Sequence, residues 1–358
     1  KYLLPYTHQA RFDFICSVDK KREAGIVELG SGTTLFVGSN GNGKTSLLEA
    51  ACVLLRLNSP RTARLGLTIR HGTEEAALAG LVGEHRIDLY LGRHKRRVCL
   101  DGIEKADLSE CFSLQRVVWF GNTDIQLATG PADLRRRFLD FLGSQAIPGY
   151  RRVMAAYDRA LRSRNTLLRK GQFAAAEAFN GPLLATGHEL TQLRITLVTD
   201  LEHHFKMAYH LVSAGEQVQI TYKQGATENM ARALAESRQR ERLLGYTIAG
   251  PHRDDLLLNV RGHSVATHGS EGQQRSVAIA LKLAQRSLIE SANGIAPLLL
   301  VDDVFGELDR ERRSALLSEL SQPDRQALVS TTRPEGIEAL QPARIYEVTP
   351  RHTLLKHT

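Results

Sequence analysis

The stretch that decides the fold is Gly38-Ser39-Asn40-Gly41-Asn42-Gly43-Lys44-Thr45. It matches the pattern G-x-x-x-x-G-K-[ST] at every position. The apolar run Thr34–Val37 before it predicts a strand, and Lys44–Leu57 predicts a helix with leucines and alanines along one face. A strand, a glycine-rich loop and a helix are the setting in which this pattern binds the phosphates of a nucleoside triphosphate. The complete match favours that interpretation over a plain glycine turn before a helix.

The chemistry of this loop predicts ATP and Mg²⁺ as its ligands. Glycines let successive backbone N–H groups point inward around phosphates, and the following helix adds the positive end of its dipole. Lys44 is expected to span the β- and γ-phosphates, and the Thr45 hydroxyl is expected to bind Mg²⁺. The predicted nucleotide-binding residues of the loop are Gly38, Ser39, Asn40, Gly41, Asn42, Gly43, Lys44, Thr45 and Ser46.

A second motif lies far along the chain, where the apolar run Leu298–Val301 ends in Asp302 and Asp303. A run of this kind predicts a buried strand. Asp302 is the expected second Mg²⁺ ligand, while Asp303 is expected to orient or deprotonate the attacking water. An ordinary turn or helix cap is the alternative, and the phosphate loop favours the catalytic interpretation. Asp303 and Lys44 are therefore the predicted catalytic residues.

The third motif, Ser270–Gln274, precedes a long amphipathic pattern. Ser270 stands where a helix N-cap belongs, so a plain helix start competes with any other role. A helix N-terminus also binds anions. Ser270, Gly272 and Gln273 are therefore predicted to grip the γ-phosphate of an ATP that a second subunit presents. The order of the three motifs is typical of ABC-type ATPases, which clamp ATP between two subunits.

The distribution of helical and strand patterns along the chain predicts an ATPase domain that is split in sequence. Residues 1–125 and 263–358 alternate helical and strand patterns, whereas residues 126–262 have mainly helical spacing. The predicted fold class is α/β, an ABC-type P-loop ATPase head with an inserted, mainly helical arm domain. Breaks between the arm helices are expected at 143–149, at Gly171 and at Asn180-Gly181-Pro182.

Charge favours a polyanionic partner. The formal net charge is +8, and residues 126–262 hold 19 lysines and arginines against 13 acidic residues. An excess of this kind is typical of nucleic-acid binding, although a merely solvated basic surface is the alternative. We expect the basic clusters Arg93–Arg97 and Arg135–Arg137 to contact DNA phosphates, or else to support packing inside the protein.

Compartment is indicated by what the sequence lacks. No apolar run approaches the ~20 residues of a membrane-spanning helix. Lys1–Ala10 does not have the sections of a signal peptide. The four cysteines form no C-x-x-C pair. These features predict a cytoplasmic protein without a membrane partner.

Several segments resemble the RecF family, which belongs with the SMC-like branch of ABC ATPases. They are Asn58–Thr62, Pro131–Asp140, Ser163–Asn165, Gly250–Leu256 and Gly272–Arg275. The resemblance implies an ATP-dependent homodimer on DNA, either duplex or at single-strand/double-strand junctions. It also implies slow Mg²⁺-dependent ATP hydrolysis, a role in recombinational repair, replication and the SOS response, and RecO and RecR as partners in loading RecA.

Three departures from the family pattern bear on how far the resemblance extends. Phe120–Asp124 stands where the family has Phe-Ser-Pro-Glu-Asp, and His268–Glu271 departs from the usual Ser-Gln-Gly form. Ala10–Ile15 also lacks the Asn-Phe-Arg-Asn stretch that is usual near the start.

The alternative function is the nucleotide-binding subunit of an ABC-type transporter. The long gap between the first and third motifs and the basic insertion both disfavour it.

Overall fold

The protein is described by a computed structural model. The structure describes residues 13–17, 25–62, 64–213, 215–226, 229–322, 325–333, 337, 340–349 and 353–356. The expectation made for Lys1–Ala10 lies outside these residues, as does part of Ala10–Ile15. Within the described ranges, no helix combines the length and the apolar character that crossing a membrane needs.

Helices and strands alternate along the described chain. The strands are β1 (Asp13–Ser17), β2 (Gly25–Glu28), β3 (Thr33–Val37), β4 (Glu75–Val82), β5 (His85–Gly92), β6 (Arg96–Leu100), β7 (Ile103–Glu104), β8 (Val117–Gly121), β9 (Val218–Lys223), β10 (Asp255–Val260), β11 (His263–Ser264), β12 (Leu298–Asp302), β13 (Ala327–Thr331), β14 (Arg344–Val348) and β15 (Thr353–Lys356). The α-helices are α1 (Lys44–Arg56), α2 (Ser109–Leu114), α3 (Gln126–Thr129), α4 (Ala132–Ala146), α5 (Tyr150–Arg169), α6 (Phe173–Glu177), α7 (Asn180–Val212), α8 (Met230–Leu244), α9 (Val265–His268), α10 (Glu271–Asn293) and α11 (Arg310–Leu320).

The chain divides into two compact units. The first unit is Lys1–Asn122 with Ile295–Thr358, and the second is Thr123–Gly294. The sequence-based boundaries stood at 125 and 263, so residues 263–294 lie in the unit that holds the arm helices. Their assignment to the ATPase domain stays a prediction.

The first unit is built around a mostly parallel sheet of order β15-β14-β3-β13-β12-β8. Strands β14, β3, β13, β12 and β8 run parallel to their neighbours, and β15 pairs antiparallel with β14. The middle of this sheet is almost wholly buried, as parallel strands covered on both faces require. Because parallel strands end at one edge of a sheet, the loops after β3 and β12 meet there.

A second sheet of the first unit is antiparallel, with order β2-β1-β4-β5-β6-β7. Along β5 the apolar residues Ile87, Leu89 and Leu91 are buried, and the alternate residues are less buried. This period of two is what one buried face of an antiparallel sheet produces. The exposed residues Arg93–Arg97 comprise the tight turn between β5 and β6 and the first two residues of β6.

The second unit contains the long helices α5 and α7 and the antiparallel sheet β11-β10-β9. Its core includes Tyr150, Tyr157 and Leu190. The break predicted at Asn180-Gly181-Pro182 is instead the start of α7, which is 33 residues long. Proline is tolerated there because the first backbone N–H groups of a helix have no partner within the helix.

Candidate functional site

Glycines give the loop after β3 its shape. Gly41 and Gly43 have φ angles of 83° and 89°, the left-handed region that favours glycine. Gly38 allows a close approach, because a Cβ placed there would lie 2.3 Å from the carbonyl oxygen of Val348. No side-chain hydrogen bond caps the start of α1, and its first turn holds no acidic residue. Its N-terminal N–H groups are therefore suited to an anion from outside the helix.

The Lys44 ammonium lies over this loop. Its Nζ donates to the carbonyl oxygens of Gly38 at 2.7 Å and Ser39 at 3.0 Å, and the residue is buried. The nearby tip, formed by Ser39, Asn40 and Gly41, is exposed, and Ser46 in the first turn of α1 is exposed too. Within the part of the chain that the structure describes, the partners of this buried cation are neutral carbonyls, so it is well placed to receive the negative charge of a phosphate.

Thr45 and Asp302 meet at the carboxyl edge of the parallel sheet. Thr45 Oγ1 donates to Asp302 Oδ1 at 2.8 Å, although 257 positions separate the two residues. Ser330 Oγ donates to the same oxygen at 2.7 Å. Ser330 was not among the predicted site residues. It lies beside Asp302 because β13 pairs with β12 in a register that sets Ser330 opposite Asp302.

This pair fits Mg²⁺. A hydroxyl and a carboxylate are hard oxygen ligands, and magnesium in phosphate sites takes one or two protein ligands together with phosphates and waters. The described residues contain no group of three or more His, Cys, Asp or Glu that would hold a metal by itself. Such a cluster is not needed for Mg²⁺ of this kind, so the donor set of Thr45 and Asp302 is sufficient.

Asp303 has an unusual backbone and a firmly held carboxylate. Its φ angle is 51°, which few non-glycine residues adopt, and its N–H donates to the carbonyl of Ser330 at 3.1 Å. Its Oδ1 accepts from the backbone N–H of Thr332 at 3.1 Å. Within the described residues, Oδ2 accepts no hydrogen bond from the protein. One oxygen therefore anchors the side chain, and the other is available to a water.

The segment Ser270–Gln274 begins α10 with a reciprocal cap. The Gln273 N–H donates to Ser270 Oγ at 3.2 Å, and the Ser270 N–H donates to Gln273 Oε1 at 2.9 Å. This capping box confirms the helix-cap interpretation of Ser270. Ser270 is exposed and Gly272 is half-buried. Their contact with a phosphate from a second subunit stays a prediction.

Gln273 has a hydrogen-bond partner that was not predicted from the sequence. Its Nε2 donates to Glu216 Oε1 at 2.8 Å, a residue in the connection between α7 and β9. The altered segment Phe120–Asp124 also has a partner, because Lys282 of α10 forms an ion pair with Asp124 at 3.2 Å. No local pattern indicates either contact, since each joins residues distant in sequence.

The two basic clusters differ in their surroundings. Arg93–Arg97 is exposed, and the Arg97 guanidinium lies 4.3 Å from the ring centroid of Tyr90. By contrast, Arg135 pairs with Asp255 at 2.7 Å, and Arg136 donates to the carbonyl oxygen of Asp254 at 2.7 Å. Arg135 and Arg136 therefore stabilise the packing of the second unit, which agrees with the packing alternative. The DNA-binding hypothesis remains for the exposed residues Arg93–Arg97.

The segment Gly250–Leu256 is held in place by buried ion pairs and hydrogen bonds. Arg194, only 3% exposed, pairs with Asp140 at 2.8 Å and Asp254 at 2.7 Å. The His252 ring bridges the Tyr157 hydroxyl at 2.6 Å and the Thr247 carbonyl oxygen at 2.9 Å. These contacts involve both His252 and Asp254 in the packing of the second unit.

Comparisons with known proteins agree on one family. A DNA replication and repair protein RecF from Anaeromyxobacter dehalogenans is 36% identical over 325 residues, 85% of this chain and 87% of the relative. A protein of the same name from Halalkalibacterium halodurans is 35% identical over 338 residues, 88% of this chain and 91% of the relative. No protein-family model matches the chain.

Solved structures share the fold. A structure of the recombination mediator protein RecF with ATP, from the RecFOR pathway, superposes with a TM-score of 0.87 at 22% identity. It covers 99% of this chain and 100% of that one. An Smc head domain from Pyrococcus furiosus superposes with a TM-score of 0.55 at 15% identity and covers 97% of this chain. The chain therefore shares its fold with RecF and with Smc head domains, which agrees with the predicted α/β fold class of an ABC-type ATPase head.

Proposed function

The chain belongs to the RecF family of DNA replication and repair proteins, and from that premise we propose that it is an ATP-dependent DNA-binding protein of recombinational repair and replication. The observation that carries the proposal is the 2.8 Å hydrogen bond between Thr45 and Asp302. It brings the phosphate loop and the aspartate strand to one point, with the uncapped start of α1 beside them. Such an arrangement serves to bind and hydrolyse a nucleoside triphosphate.

ATP is the proposed ligand of the loop Gly38–Ser46. The phosphates would accept hydrogen bonds from the N–H groups at the start of α1, and Lys44 would transfer its donors from Gly38 and Ser39 to the β- and γ-phosphates. Thr45 and Asp302 would hold Mg²⁺, which neutralises phosphate charge when bound. The Lys44 ammonium then remains beside the bond that breaks and stabilises charge that develops there.

Asp303 is the proposed catalytic carboxylate. Thr332 holds its Oδ1, so Oδ2 can accept a hydrogen bond from the attacking water and draw off its proton. An aspartate reaches less far than the glutamate found at this position in many ABC ATPases. We therefore propose slow hydrolysis, suited to a timed release of the protein from DNA.

A second copy of the chain is the proposed partner of the segment Ser270–Gln274. The exposed start of α10 would meet the γ-phosphate of ATP bound to the other copy, and the two copies would form an ATP-dependent homodimer. The dimer would close on DNA, either duplex or at single-strand/double-strand junctions, and hydrolysis would open it. ATP then acts by mass action, since it stabilises the closed dimer and not the open one.

Partners and location follow from the family. We propose RecO and RecR as partners in loading RecA, a contribution to the SOS response, and a cytoplasmic location beside the DNA. The relatives carry names from DNA replication and repair. That leaves the transporter-subunit alternative without a supporting observation.

Sedimentation of the wild-type chain tests the proposal directly. With Mg²⁺ and ATP the protein should sediment as a dimer, and without nucleotide it should sediment as a monomer. Addition of duplex DNA should produce a heavier complex only in the ATP sample. A monomer under all conditions would contradict the proposed function.

Salt dependence tests how DNA is bound. Affinity should fall steeply as salt rises, because cations of the protein displace counterions from the phosphates. Reversal of the charges at Arg93, Lys95 and Arg96 should weaken binding to unrelated sequences alike. Reversal of Lys95 alone is compared with reversal of Arg137, an exposed residue of the second cluster that already pairs with Asp133 at 2.9 Å, so that both variants change the same charge. Equal losses in both variants would exclude a specific role for the turn.

A further inference from the structure

One carboxylate joins the long helix of the second unit to the start of α10. Glu216 Oε2 accepts from the Tyr209 hydroxyl at 2.8 Å, near the end of α7. Glu216 Oε1 accepts from Gln273 Nε2 at 2.8 Å and pairs with Arg261 Nε at 3.1 Å. The Glu216 side chain is 12% exposed. Its two oxygens thus contact two different elements, one of which carries the candidate phosphate-gripping segment.

The chemistry of Glu216 dictates which way the Gln273 amide points. Burial raises the pKa of the Glu216 carboxyl, but hydrogen bonds from Tyr209 and Gln273 and the charge of Arg261 outweigh it, so the pKa lies below its usual value. An ionised carboxylate only accepts hydrogen bonds. It therefore requires the NH₂ end of Gln273, which leaves the amide oxygen for the Ser270 N–H.

The same amide closes the cap of α10. Gln273 Oε1 accepts from Ser270 at 2.9 Å, while the Gln273 N–H donates to Ser270 Oγ at 3.2 Å. A reversed amide would set an NH₂ group against the Ser270 N–H and an oxygen against the Glu216 carboxylate. Both contacts would then be repulsive. Glu216, although it lies 57 positions away, accordingly favours the amide orientation that closes the cap of α10.

We propose that Glu216 is a positioning residue for ATP-dependent dimerisation. It fixes the Gln273 amide, and through it Ser270 and Gly272, in the arrangement that receives the γ-phosphate of a second subunit. Preorganised donors bind an anion more tightly because no reorientation is needed when the subunits meet. This inference rests on the proposed function, since it assumes that the segment Ser270–Gln274 contacts ATP across the dimer.

Truncation gives the first test. Glu216→Ala should weaken ATP-dependent dimerisation ~10-fold, as loss of a charge-assisted hydrogen bond suggests. Its affinity for ATP as a monomer should match the wild type, because the phosphate loop is untouched. Tyr209→Phe is the matched control, since it removes the partner of the opposite carboxylate oxygen and leaves the bond to Gln273. It should dimerise within about two-fold of the wild type.

An exchange of carboxylate and amide between positions 216 and 273 makes the test independent of any general loss of folding. Gln273→Glu places two carboxylates together and should weaken dimerisation ~10-fold, although glutamate also closes a capping box. Glu216→Gln in the same chain supplies an amide donor to the new carboxylate and should recover most of that loss. Residue 273 is identical in the single and the double variant, so recovery reports on position 216 alone.

The outcomes separate this inference from the proposed function. Analytical ultracentrifugation with ATP is run on the wild type and all four variants, with thermal melting as the check on folding. A wild type that stays monomeric overturns the dimer and this inference together. A wild type that dimerises, beside a Gln273→Glu loss that Glu216→Gln does not recover, overturns the positioning role alone. Equal dimerisation of Glu216→Ala and the wild type does the same.

Discussion

The helices α1 and α10 are both predicted to meet phosphate, yet they begin in opposite ways. No side chain caps α1, which starts after the left-handed Gly43. Ser270 and Gln273 cap α10 reciprocally. The open start of α1 leaves its first N–H groups for a ligand, whereas the reciprocal cap of α10 already uses the N–H groups of Ser270 and Gln273. The difference suits α1 to the proposed binding of a nucleotide, and it suits α10 to the proposed contact with a second subunit.

Lys44→Ala should have the largest effect, because it removes the ammonium from the open helix start. Mg²⁺-ATP affinity should fall at least ~100-fold, which corresponds to the loss of a buried charged partner. Dimerisation, ATP-dependent DNA binding and hydrolysis should be lost with it. Isothermal titration calorimetry measures the affinity, and Lys95→Ala in the exposed turn is the control. Wild-type affinity in Lys44→Ala would refute the phosphate-loop assignment.

Ser270→Arg should have a narrower effect, since it alters only the capped start. The monomer should still bind ATP with wild-type affinity, while the bulky cation should block closure of the dimer and abolish hydrolysis. Sedimentation and calorimetry on one sample separate the two properties. A mixture with Lys44→Ala contains one composite site with an intact loop and an intact Ser270, so partial recovery of ATPase activity would support shared sites. Normal dimerisation of Ser270→Arg would reduce Ser270 to a helix cap.

Asp303→Asn should affect one step only. The amide keeps the shape of the carboxylate but removes its ability to accept a proton, which lowers hydrolysis ~100-fold or more. ATP binding and dimerisation should persist, so dimers should accumulate on ATP. Single-turnover hydrolysis measures the rate, and Asp309→Asn, at the exposed N-cap of α11, is the control. Unchanged hydrolysis would assign the water to another group, and Thr331 would be examined next.

The smallest expected effect concerns the second unit, where His252 should make the free energy of unfolding depend on pH. Burial lowers the pKa of His252 from 6.5 to about 4, helped by the charges of Arg253 and Arg136 and opposed by the hydrogen bond to Thr247. The unfolded chain therefore binds a proton at a higher pH than the folded chain does. The contribution of His252 is complete above pH 6.5 and is lost as the pH falls towards 4. The loss amounts to about 2–3 kcal/mol.

Urea unfolding followed by circular dichroism at several pH values checks this sign. His252→Gln should be less stable at pH 7, and its stability should fall less between pH 6.5 and 4.5. Equal pH slopes in the variant and the wild type would show that His252 is not the titrating group.

Prediction from sequence succeeded where the signal is local. The bounds of α1, β3 and β12 agree with the expected Lys44–Leu57, Thr34–Val37 and Leu298–Val301 to within one residue. Their apolar periodicity and glycines act over a few neighbouring positions. Helix α8 was missed, even though Asn229 caps it through the N–H of Arg232. Within α8 only Leu234 and Glu241 are buried, so its apolar periodicity is weaker than that of α5 and did not distinguish it from a loop.

The sequence left two interpretations open where several local meanings compete. The cluster Arg135–Arg137 was a candidate for DNA binding, but Arg135 pairs with Asp255, which is 120 positions away. A guanidinium has the same sequence signature on a surface and in a buried ion pair. Only the partner tells them apart, and the partner is supplied by the fold.

By itself, the sequence determined the residue types and local conformations of the site. The glycines set the left-handed turns of the phosphate loop, and the apolar run before Asp302 specified a buried strand. Tertiary structure alone decided which groups meet: Thr45 with Asp302, Asp303 with Thr332, and Gln273 with Glu216. The physical reason is range. Turn and helix preferences arise between near neighbours, whereas these hydrogen bonds form only after the strand order and the packing of helices have brought distant residues together.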